Sequence, residues 1–130
     1  MMILIVEDDL DLAETCSMVL ESCDFEVKVA HSAEEALLQI AERKPDLLIA
    51  DCVLPGRSGL ELSQQMRSHH DRRQLPILLM SGSLRNKVAH GDSYDGFINK
   101  PFLAETLLAE VSRLLQPAPQ SANQPVQGTL

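Results

Sequence analysis

The sequence predicts a doubly wound α/β domain, with a five-stranded parallel sheet as the middle of three α/β/α layers. Short apolar runs alternate along the 130 residues with longer segments that carry apolar side chains at helical spacing. Two of the runs are apolar throughout, as expected for strands that helices cover on both faces. Parallel neighbours need crossover connections, and right-handed crossovers place helices on both sides of the sheet. For such a sheet we expect the flavodoxin-like strand order 2-1-3-4-5.

The first half of the chain contains two predicted strand–helix pairs and a third strand. Apolar side chains recur at helical spacing from Leu12 through Cys16 to Cys23, so both cysteines are expected to face the core. Ser32 followed by Glu35 has the capping-box pattern of a helix start. The predicted elements are a strand over Met2–Val6, a helix from about Asp9 to Ser22, a strand over Phe25–Val29, a helix from Ser32 that ends before Pro45, and a strand over Asp46–Ala50.

The second half continues the alternation but contains one weak element. Residues 82–96 include glycines, an asparagine and little apolar periodicity, so the fourth helix is expected to be short, displaced or mobile. The other predicted elements are a helix from Ser58 or Gly59, a strand over Ile77–Met80, a strand over Phe97–Asn99 and a helix over Leu103–Leu115. Residues 1–116 form one domain, and the uncharged, Pro/Gln-rich residues 117–130 are expected to be a disordered tail.

Composition limits the class of protein. A formal net charge of -8 and a pI near 4.8 argue against direct nucleic-acid binding, which depends on clustered Lys and Arg. The basic cluster of His69, His70, Arg72 and Arg73 follows a predicted helix and is explained by the helix dipole and solvent; a metal or partner patch is the alternative. No apolar stretch approaches the roughly 20 residues that span a bilayer, so membrane insertion is not expected. Three cysteines without pairwise spacing agree with a reducing compartment, and a cytoplasmic location is expected.

Polar side chains follow four of the predicted strands. They are Glu7, Asp8 and Asp9 after the first strand, Asp51 after the third, Ser81 after the fourth and Lys100 after the fifth. In the order 2-1-3-4-5 the switch point lies between the first and third strands, so Glu7, Asp8 and Asp51 are expected to share one pocket. Two unit charges about 5 Å apart repel by roughly 3 kcal/mol at an effective dielectric of about 20.

The predicted acidic pocket needs a counterion. Lys100 offers one positive charge and leaves about two negative charges, which suit Mg²⁺, a cation that takes one or two carboxylates and accepts phosphate oxygens in its other positions. The alternative for Glu7 and Asp8 is helix capping with a favourable dipole interaction, and Asp9 is expected to do only that. Capping alone leaves the polar ends of the other three strands unexplained.

Five short motifs lie in order at the predicted strand ends. They are Ile5–Asp9 as an acidic signature, Asp51–Gly56 as a turn after an aspartate, Ser58–Leu62 at a helix start, Met80–Gly82 with a hydroxyl, and Lys100–Phe102 as a lysine turn. Together they resemble the receiver domains of two-component response regulators, including the CheY-like chemotaxis type. The resemblance covers about residues 2–115.

The resemblance implies a role for the acidic residues. Asp51 would take a phosphoryl group from a phosphohistidine on a sensor histidine kinase or a histidine phosphotransfer protein and become an aspartyl phosphate. Asp8 would ligate Mg²⁺ directly, Glu7 would do so mainly through water, and the backbone carbonyl of Val53 would be a further ligand beside Asp51. The Lys100–Pro101 peptide is implied to be cis, as in relatives.

The same resemblance implies how the signal would leave the domain. Ser81 and Lys100, with the backbone N–H of Gly82, would contact phosphoryl oxygens. The Ser81 hydroxyl would be drawn toward the phosphoryl group and Phe97 would turn inward, which moves the face made by the fourth helix, the fifth strand and the last helix. A downstream protein would bind at that face, and a homodimer is left open. Plain core packing is the alternative for Phe97, which has no hydroxyl.

Three other functions stay open on the sequence alone: a degenerate receiver used only for docking, an aspartyl-phosphate phosphatase, and a flavin-binding relative. A phosphatase of this type would need a second acid two positions after the nucleophile, where the chain has Val53. A flavin protein would need a hydroxyl-rich phosphate loop after the first strand, where Glu7–Asp9 would repel the phosphate. The sequence favours a signalling phosphoacceptor that catalyses only its own phosphorylation and dephosphorylation.

Overall fold

The computed structural model describes residues 1–69, 75–82 and 93–116, and within these ranges it contains five strands and four helices. In chain order they are β1 (Met2–Val6), α1 (Leu10–Glu21), β2 (Glu26–Ala30), α2 (Ala33–Glu42), β3 (Leu47–Asp51), α3 (Gly59–His69), β4 (Ile77–Ser81), β5 (Gly96–Asn99) and α4 (Ala104–Leu115). The predicted fourth helix, most of the basic cluster and the predicted tail lie outside the described residues.

The five strands form one parallel sheet in the order β2-β1-β3-β4-β5, which confirms the predicted topology. Strands β1, β3 and β4 are buried along their whole length, which explains their continuous apolar runs. The edge strand β2 alternates between exposed and partly buried positions.

Two apolar clusters cover the two faces of the sheet and make the three-layer arrangement. One contains buried side chains of α2 and α3, including Ile40, Leu62 and Met66. The other contains side chains of α1 and α4, including Leu20 and Val111. Helices therefore lie on both faces, as right-handed crossovers require.

Local capping fixes where the helices begin. The Asp9 carboxylate accepts hydrogen bonds from the N–H groups of Asp11 and Leu12, at 3.0 and 3.2 Å, so the predicted capping role of Asp9 is confirmed. Ser32 accepts from the N–H of Glu35, while the Glu35 carboxylate accepts from the N–H of His31. The capping box is therefore present with its return bond one residue earlier than the usual pattern.

One prediction about the core is wrong. Cys16 is buried as expected, but Cys23 is exposed. Helix α1 ends at Glu21, and Asp24 has a positive φ of 70° that turns the chain toward β2. Helical spacing therefore no longer applies at Cys23, and its side chain does not continue the apolar stripe.

Several boundaries differ by one residue from the prediction, and two of these differences concern polar residues. Strand β3 includes Asp51 and strand β4 includes Ser81, so both side chains belong to the last residue of a strand. The Lys100–Pro101 peptide is cis, as the resemblance implied. Among the described helices, none combines the length and the apolar composition that a bilayer crossing requires.

Candidate functional site

The parallel sheet brings the predicted polar residues to one edge. Glu7 directly follows β1, Asp51 ends β3, Ser81 ends β4 and Lys100 directly follows β5. Because β1 and β3 are neighbours in the sheet and connect to opposite sides of it, the acidic residues lie at the topological switch point.

Lys100 joins the two buried carboxylates. Its Nζ donates to Oε1 of Glu7 at 2.8 Å and to Oδ2 of Asp51 at 2.7 Å. The Glu7 side chain is 1% exposed, that of Asp51 is 8% exposed and that of Lys100 is 20% exposed. Lys100 thus reaches across the end of β4 to bind Glu7, which follows β1, and Asp51, which ends β3.

The second oxygen of each carboxylate is held by a backbone N–H. Oδ1 of Asp51 accepts from the N–H of Val53 at 3.1 Å, and Oε2 of Glu7 accepts from the N–H of Asp9 at 3.1 Å. The Asp51 and Glu7 carboxylates are therefore fixed on both sides, by the lysine and by the turn that follows each strand.

Burial sets the ionisation of the site. Desolvation raises the pKa of the Glu7 carboxyl above its ordinary value, and the hydrogen bond from Lys100 opposes this shift. The pKa of the Lys100 ammonium is also raised, because the hydrogen bonds and charges of Asp51 and Glu7 together outweigh the opposing effect of burial. Lys100 therefore stays protonated between the two carboxyl groups.

Asp8 completes an acidic group that could hold a metal ion. One oxygen each of Glu7, Asp8 and Asp51 lie within 4.8 Å of one another, and Asp8 is exposed while the other two are buried. Three carboxylates with a single ammonium leave a negative surplus, and carboxylate oxygens are the ligands that hard divalent cations prefer. The donor set fits the predicted Mg²⁺, with one side open to solvent.

The remaining predicted residues surround this acidic group. Ser81 is fully buried, and its backbone carbonyl accepts from the N–H of Lys100 at 2.7 Å. Val53 is exposed at the rim of the site. Phe97 is partly buried and packs against Tyr94, with ring centroids 6.4 Å apart and the planes tilted by 55°. This packing agrees with the alternative interpretation of Phe97, and its role as a switch stays a prediction.

Two buried thiols lie beside the site. Burial raises the pKa of Cys16 and of Cys52 to about 11, with further contributions from the nearby charges of Glu7 and Asp51 respectively. Both thiols are therefore protonated at neutral pH and are poor nucleophiles.

One neighbour of the acidic group, His31, could not be found from the sequence. Nδ1 of the His31 ring lies 3.0 Å from the backbone carbonyl oxygen of Glu7, and His31 belongs to the connection between β2 and α2. A lone histidine after an edge strand carries no pattern that would place it at the site. Only the pairing of β1 with β2 does so.

Comparison with known proteins agrees with the geometry of the site. The family model described as "Response regulator receiver domain" matches residues 3–112. Response regulator MprA of Mycobacterium avium strain 104 is 39% identical over 119 residues, which cover 89% of this chain and 51% of the relative. The chain thus spans about half the length of the curated relatives it matches.

Solved structures are similar over the same part of the chain. A putative response regulator from Chloroflexus aurantiacus J-10-fl is 37% identical with a TM-score of 0.79, and the match covers 88% of this chain and 96% of that protein. Response regulator TrrA from Thermotoga maritima, solved in complex with Mg(2+)-BeF, is 28% identical with a TM-score of 0.81, covering 88% and 98% of the two chains.

Proposed function

The chain belongs to the response regulator receiver domain family of two-component signalling proteins, and from this premise we propose that Asp51 is its phosphoacceptor. The observation that carries the proposal is the position of Asp51. Its carboxylate ends a strand at the switch point, accepts from Lys100 and from the N–H of Val53, and adjoins the Glu7 and Asp8 carboxylates.

The proposed step is an in-line transfer from a phosphohistidine of the donor protein. An Asp51 oxygen attacks phosphorus, the new O–P bond forms as the donor's N–P bond breaks, and the imidazole leaves with the bonding electron pair and takes a proton from solvent. The domain catalyses this transfer to itself and the later hydrolysis, rather than the turnover of a separate substrate.

Neighbouring residues have distinct roles in the proposal. Lys100, which now contacts Asp51, would bind a phosphoryl oxygen and neutralise part of its charge. The Ser81 hydroxyl and the N–H of Gly82 would contact other phosphoryl oxygens from the end of β4. These groups are preorganised because β4 and the Lys100 turn are joined by the Lys100 N–H to Ser81 carbonyl bond of 2.7 Å.

We assign the metal site to the acidic group and one carbonyl. Glu7, Asp8 and Asp51 would hold Mg²⁺ together with the backbone carbonyl of Val53. When bound, the ion would neutralise negative charge on the phosphoryl oxygens. Without a metal ion, the three carboxylates would repel the incoming phosphoryl group, because Lys100 offsets only one of their charges.

The proposed partners follow from the two sides of the domain. The donor would be a sensor histidine kinase or a histidine phosphotransfer protein. A downstream protein would bind near β5 and α4, where a hollow of about 430 Å³ is lined by Phe97, Phe102, Leu103 and Thr106 among others. Ser81 and Phe97 would couple the two sides. The proposal places the domain in the cytoplasm, with no direct nucleic-acid contact or membrane insertion, and a homodimer stays a prediction.

The phosphoacceptor is tested by labelling with a small phosphodonor such as acetyl phosphate in the presence of Mg²⁺. The parent protein should gain the mass of one phosphoryl group, stable in acid and labile in base, as expected of an acyl phosphate. Asp51→Asn should abolish the label, while Asp11→Asn, an exposed aspartate of α1, should label like the parent. An Asp51→Asn protein that labels as well as the parent would show that another residue is the nucleophile.

A further inference from the structure

Gly59, the first residue of α3, lies against the main chain of the proposed phosphoacceptor. A Cβ built on Gly59 would be 2.0 Å from the carbonyl oxygen of Asp51, 2.8 Å from its carbonyl carbon and 3.1 Å from Cα of Cys52. Non-bonded heavy atoms have their optimum at roughly 3.5–4.0 Å. Any side chain at this position would therefore collide with the Asp51–Cys52 peptide.

The helix itself gives no reason for a glycine here. Among the described glycines, the one with a positive φ is Gly56, so Gly59 has a backbone conformation that other residues adopt freely. Alanine is a better helix former than glycine. What distinguishes Gly59 is the close approach of α3 to the end of β3.

We propose that Gly59 is a positioning residue of the phosphoacceptor site. Its missing side chain lets the start of α3 lie directly on the Asp51–Cys52 peptide, and this contact sets where the Asp51 carboxylate and the Val53 carbonyl are presented. The inference rests on the proposed function of Asp51 and adds a residue that touches neither the phosphoryl group nor the metal.

Both sides of the contact are held in place, so neither can easily move away from an added methyl group. The Gly59 N–H donates to the Cys52 carbonyl at 3.0 Å, and the Cys52 N–H donates to the Met80 carbonyl at 2.8 Å. Leu62, one turn along α3, is fully buried in the core. The clash would therefore be relieved in part by displacement of the Asp51–Cys52 peptide.

A displacement there reaches the reacting carboxylate directly. The Val53 N–H that holds Oδ1 of Asp51, at 3.1 Å, belongs to the next peptide along the chain from the one that moves. A misplacement on the order of 1 Å can reduce a rate by about 10²-fold when the reacting groups depend on alignment. A single methyl group at residue 59 should thus misplace the Asp51 carboxylate without contacting the phosphoryl group or the metal.

The test compares Gly59→Ala with Gly96→Ala, a matched substitution at a second crowded glycine. A Cβ at Gly96 would lie 3.0–3.1 Å from the side chains of Arg113, Glu110 and Leu78, at the other end of the sheet. Three measurements are made on each variant and on the parent: amide hydrogen exchange of Val53 without metal, the Mg²⁺ dissociation constant from NMR titration, and labelling by acetyl phosphate at saturating Mg²⁺.

We expect Gly59→Ala to exchange the Val53 amide faster, to bind Mg²⁺ more weakly and to label about tenfold more slowly or worse. Gly96→Ala should lower the melting temperature and leave all three readouts within about twofold of the parent, because its strain lies away from Asp51. A folded Gly59→Ala protein that matches the parent in all three would overturn the inference.

Loss of folding is separated from loss of positioning by an osmolyte. If Gly59→Ala unfolds in buffer, trimethylamine N-oxide is added to restore the folded state, and all proteins are measured under that condition. Refolded Gly59→Ala with parent-like Mg²⁺ affinity and labelling would contradict positioning, whereas persistent defects would support it. A parent protein that takes no label would overturn the function proposed for Asp51 and this inference together; a parent that labels equally with Gly59→Ala overturns this inference alone.

Discussion

Two largely buried groups of charged side chains hold distant segments together at opposite ends of the sheet, and their charges are arranged differently. At the carboxyl ends of the strands, Lys100 lies between Glu7 and Asp51. At the amino ends, Nη2 of Arg67 donates to Oδ2 of Asp95 at 2.7 Å, with side chains 14% and 9% exposed. Among the residues that the structure describes, Lys100 contacts two buried carboxylates and Arg67 contacts one.

The two charged groups also differ in their further contacts. The Asp95 carboxylate also accepts from the N–H of Ile77 at 2.9 Å, and Arg67 also donates to the Leu75 carbonyl at 3.3 Å. Arg67 and Asp95 thus pair one guanidinium with one carboxylate, and each is also bonded to the main chain at the amino ends of the strands. The group at the carboxyl ends has the exposed Asp8 in addition and stays net negative. The acidic group at the carboxyl ends is therefore the one that could hold a cation, and we expect the contact between Arg67 and Asp95 to contribute mainly to stability.

We expect the largest change in labelling rate when the Lys100 ammonium is removed. Lys100→Ala should slow labelling by acetyl phosphate by about 10²–10³-fold, because a charged donor near the reacting oxygens is lost. The Mg²⁺ dissociation constant, measured by NMR titration, should not rise, since the acidic group is left more negative. Lys28→Ala, an exposed lysine on β2, should behave like the parent. Loss of Mg²⁺ binding in Lys100→Ala would mean that the assignment of the pocket is wrong.

Removal of Arg67 should lower the free energy of unfolding and leave the labelling rate nearly unchanged. Arg67→Ala removes the guanidinium that donates to the buried Asp95 carboxylate, and we expect a loss of about 3 kcal/mol in the free energy of unfolding by urea. The labelling rate of the folded variant should stay within about twofold of the parent, because the pair lies at the other end of the sheet.

The matched control for that experiment is the exposed pair of Arg43 and Glu26. Arg43→Ala should lose no measurable stability, since both side chains are about half exposed or more. Slow labelling by folded Arg67→Ala would show that the amino-end pair is coupled to the phosphoacceptor, and the contrast between the two regions would fail.

Asp8 and Asp9 are adjacent in the sequence, and we expect one to act in metal binding and the other in stability. Asp9→Ala removes the cap of α1 and should reduce stability by about 1 kcal/mol with little change in Mg²⁺ affinity. Asp8→Ala should do the reverse, with stability retained and Mg²⁺ affinity lowered. Urea unfolding and NMR titration on both variants check this, and equal Mg²⁺ affinities for the two would contradict the separate roles.

The smallest effect is a pH dependence that belongs to Glu7. Burial raises the pKa of Glu7, so the metal-free folded protein binds this proton more readily than the unfolded chain, whose value is near 4.5. The corresponding stabilisation is fully present below that value and is lost as the pH rises through the raised pKa. Glu7→Gln should flatten this part of the curve of unfolding free energy against pH, while Glu14→Gln, on the exposed side of α1, should leave it unchanged. An unchanged slope in Glu7→Gln would refute the assignment.

The sequence predicted that the polar strand ends meet at one edge of the sheet, because the signals for this are local. An apolar strand that ends in a polar residue is visible in a few positions, and the rule for parallel sheets then brings such ends together. Glu7, Asp51, Ser81 and Lys100 were all placed in this way, and the alternation of strands and helices predicted the parallel sheet, whereas the strand order was that of the flavodoxin-like type. Boundaries shifted by a residue because hydrogen bonding, not hydropathy, ends a strand.

Features that depend on contact between distant segments could not be predicted. Arg67 and Asp95 are 28 positions apart and carry no common pattern, so their pairing appears only when α3 and β5 are in place. Cys23 was misplaced because helical periodicity does not reveal that the helix has already ended. Gly59 gave a helix start but no indication of the main chain that it touches.

Lys100 is synthesised long after the two carboxylates that it contacts. Its ammonium comes from the turn after the final strand, 93 positions from Glu7 and 49 from Asp51. During synthesis from the N-terminus, the first three strands are made with their acidic ends before the lysine exists. A chain that has not yet docked β5 therefore lacks the ammonium that bonds Glu7 and Asp51, so the charges of the acidic group are partly neutralised only when the sheet is complete.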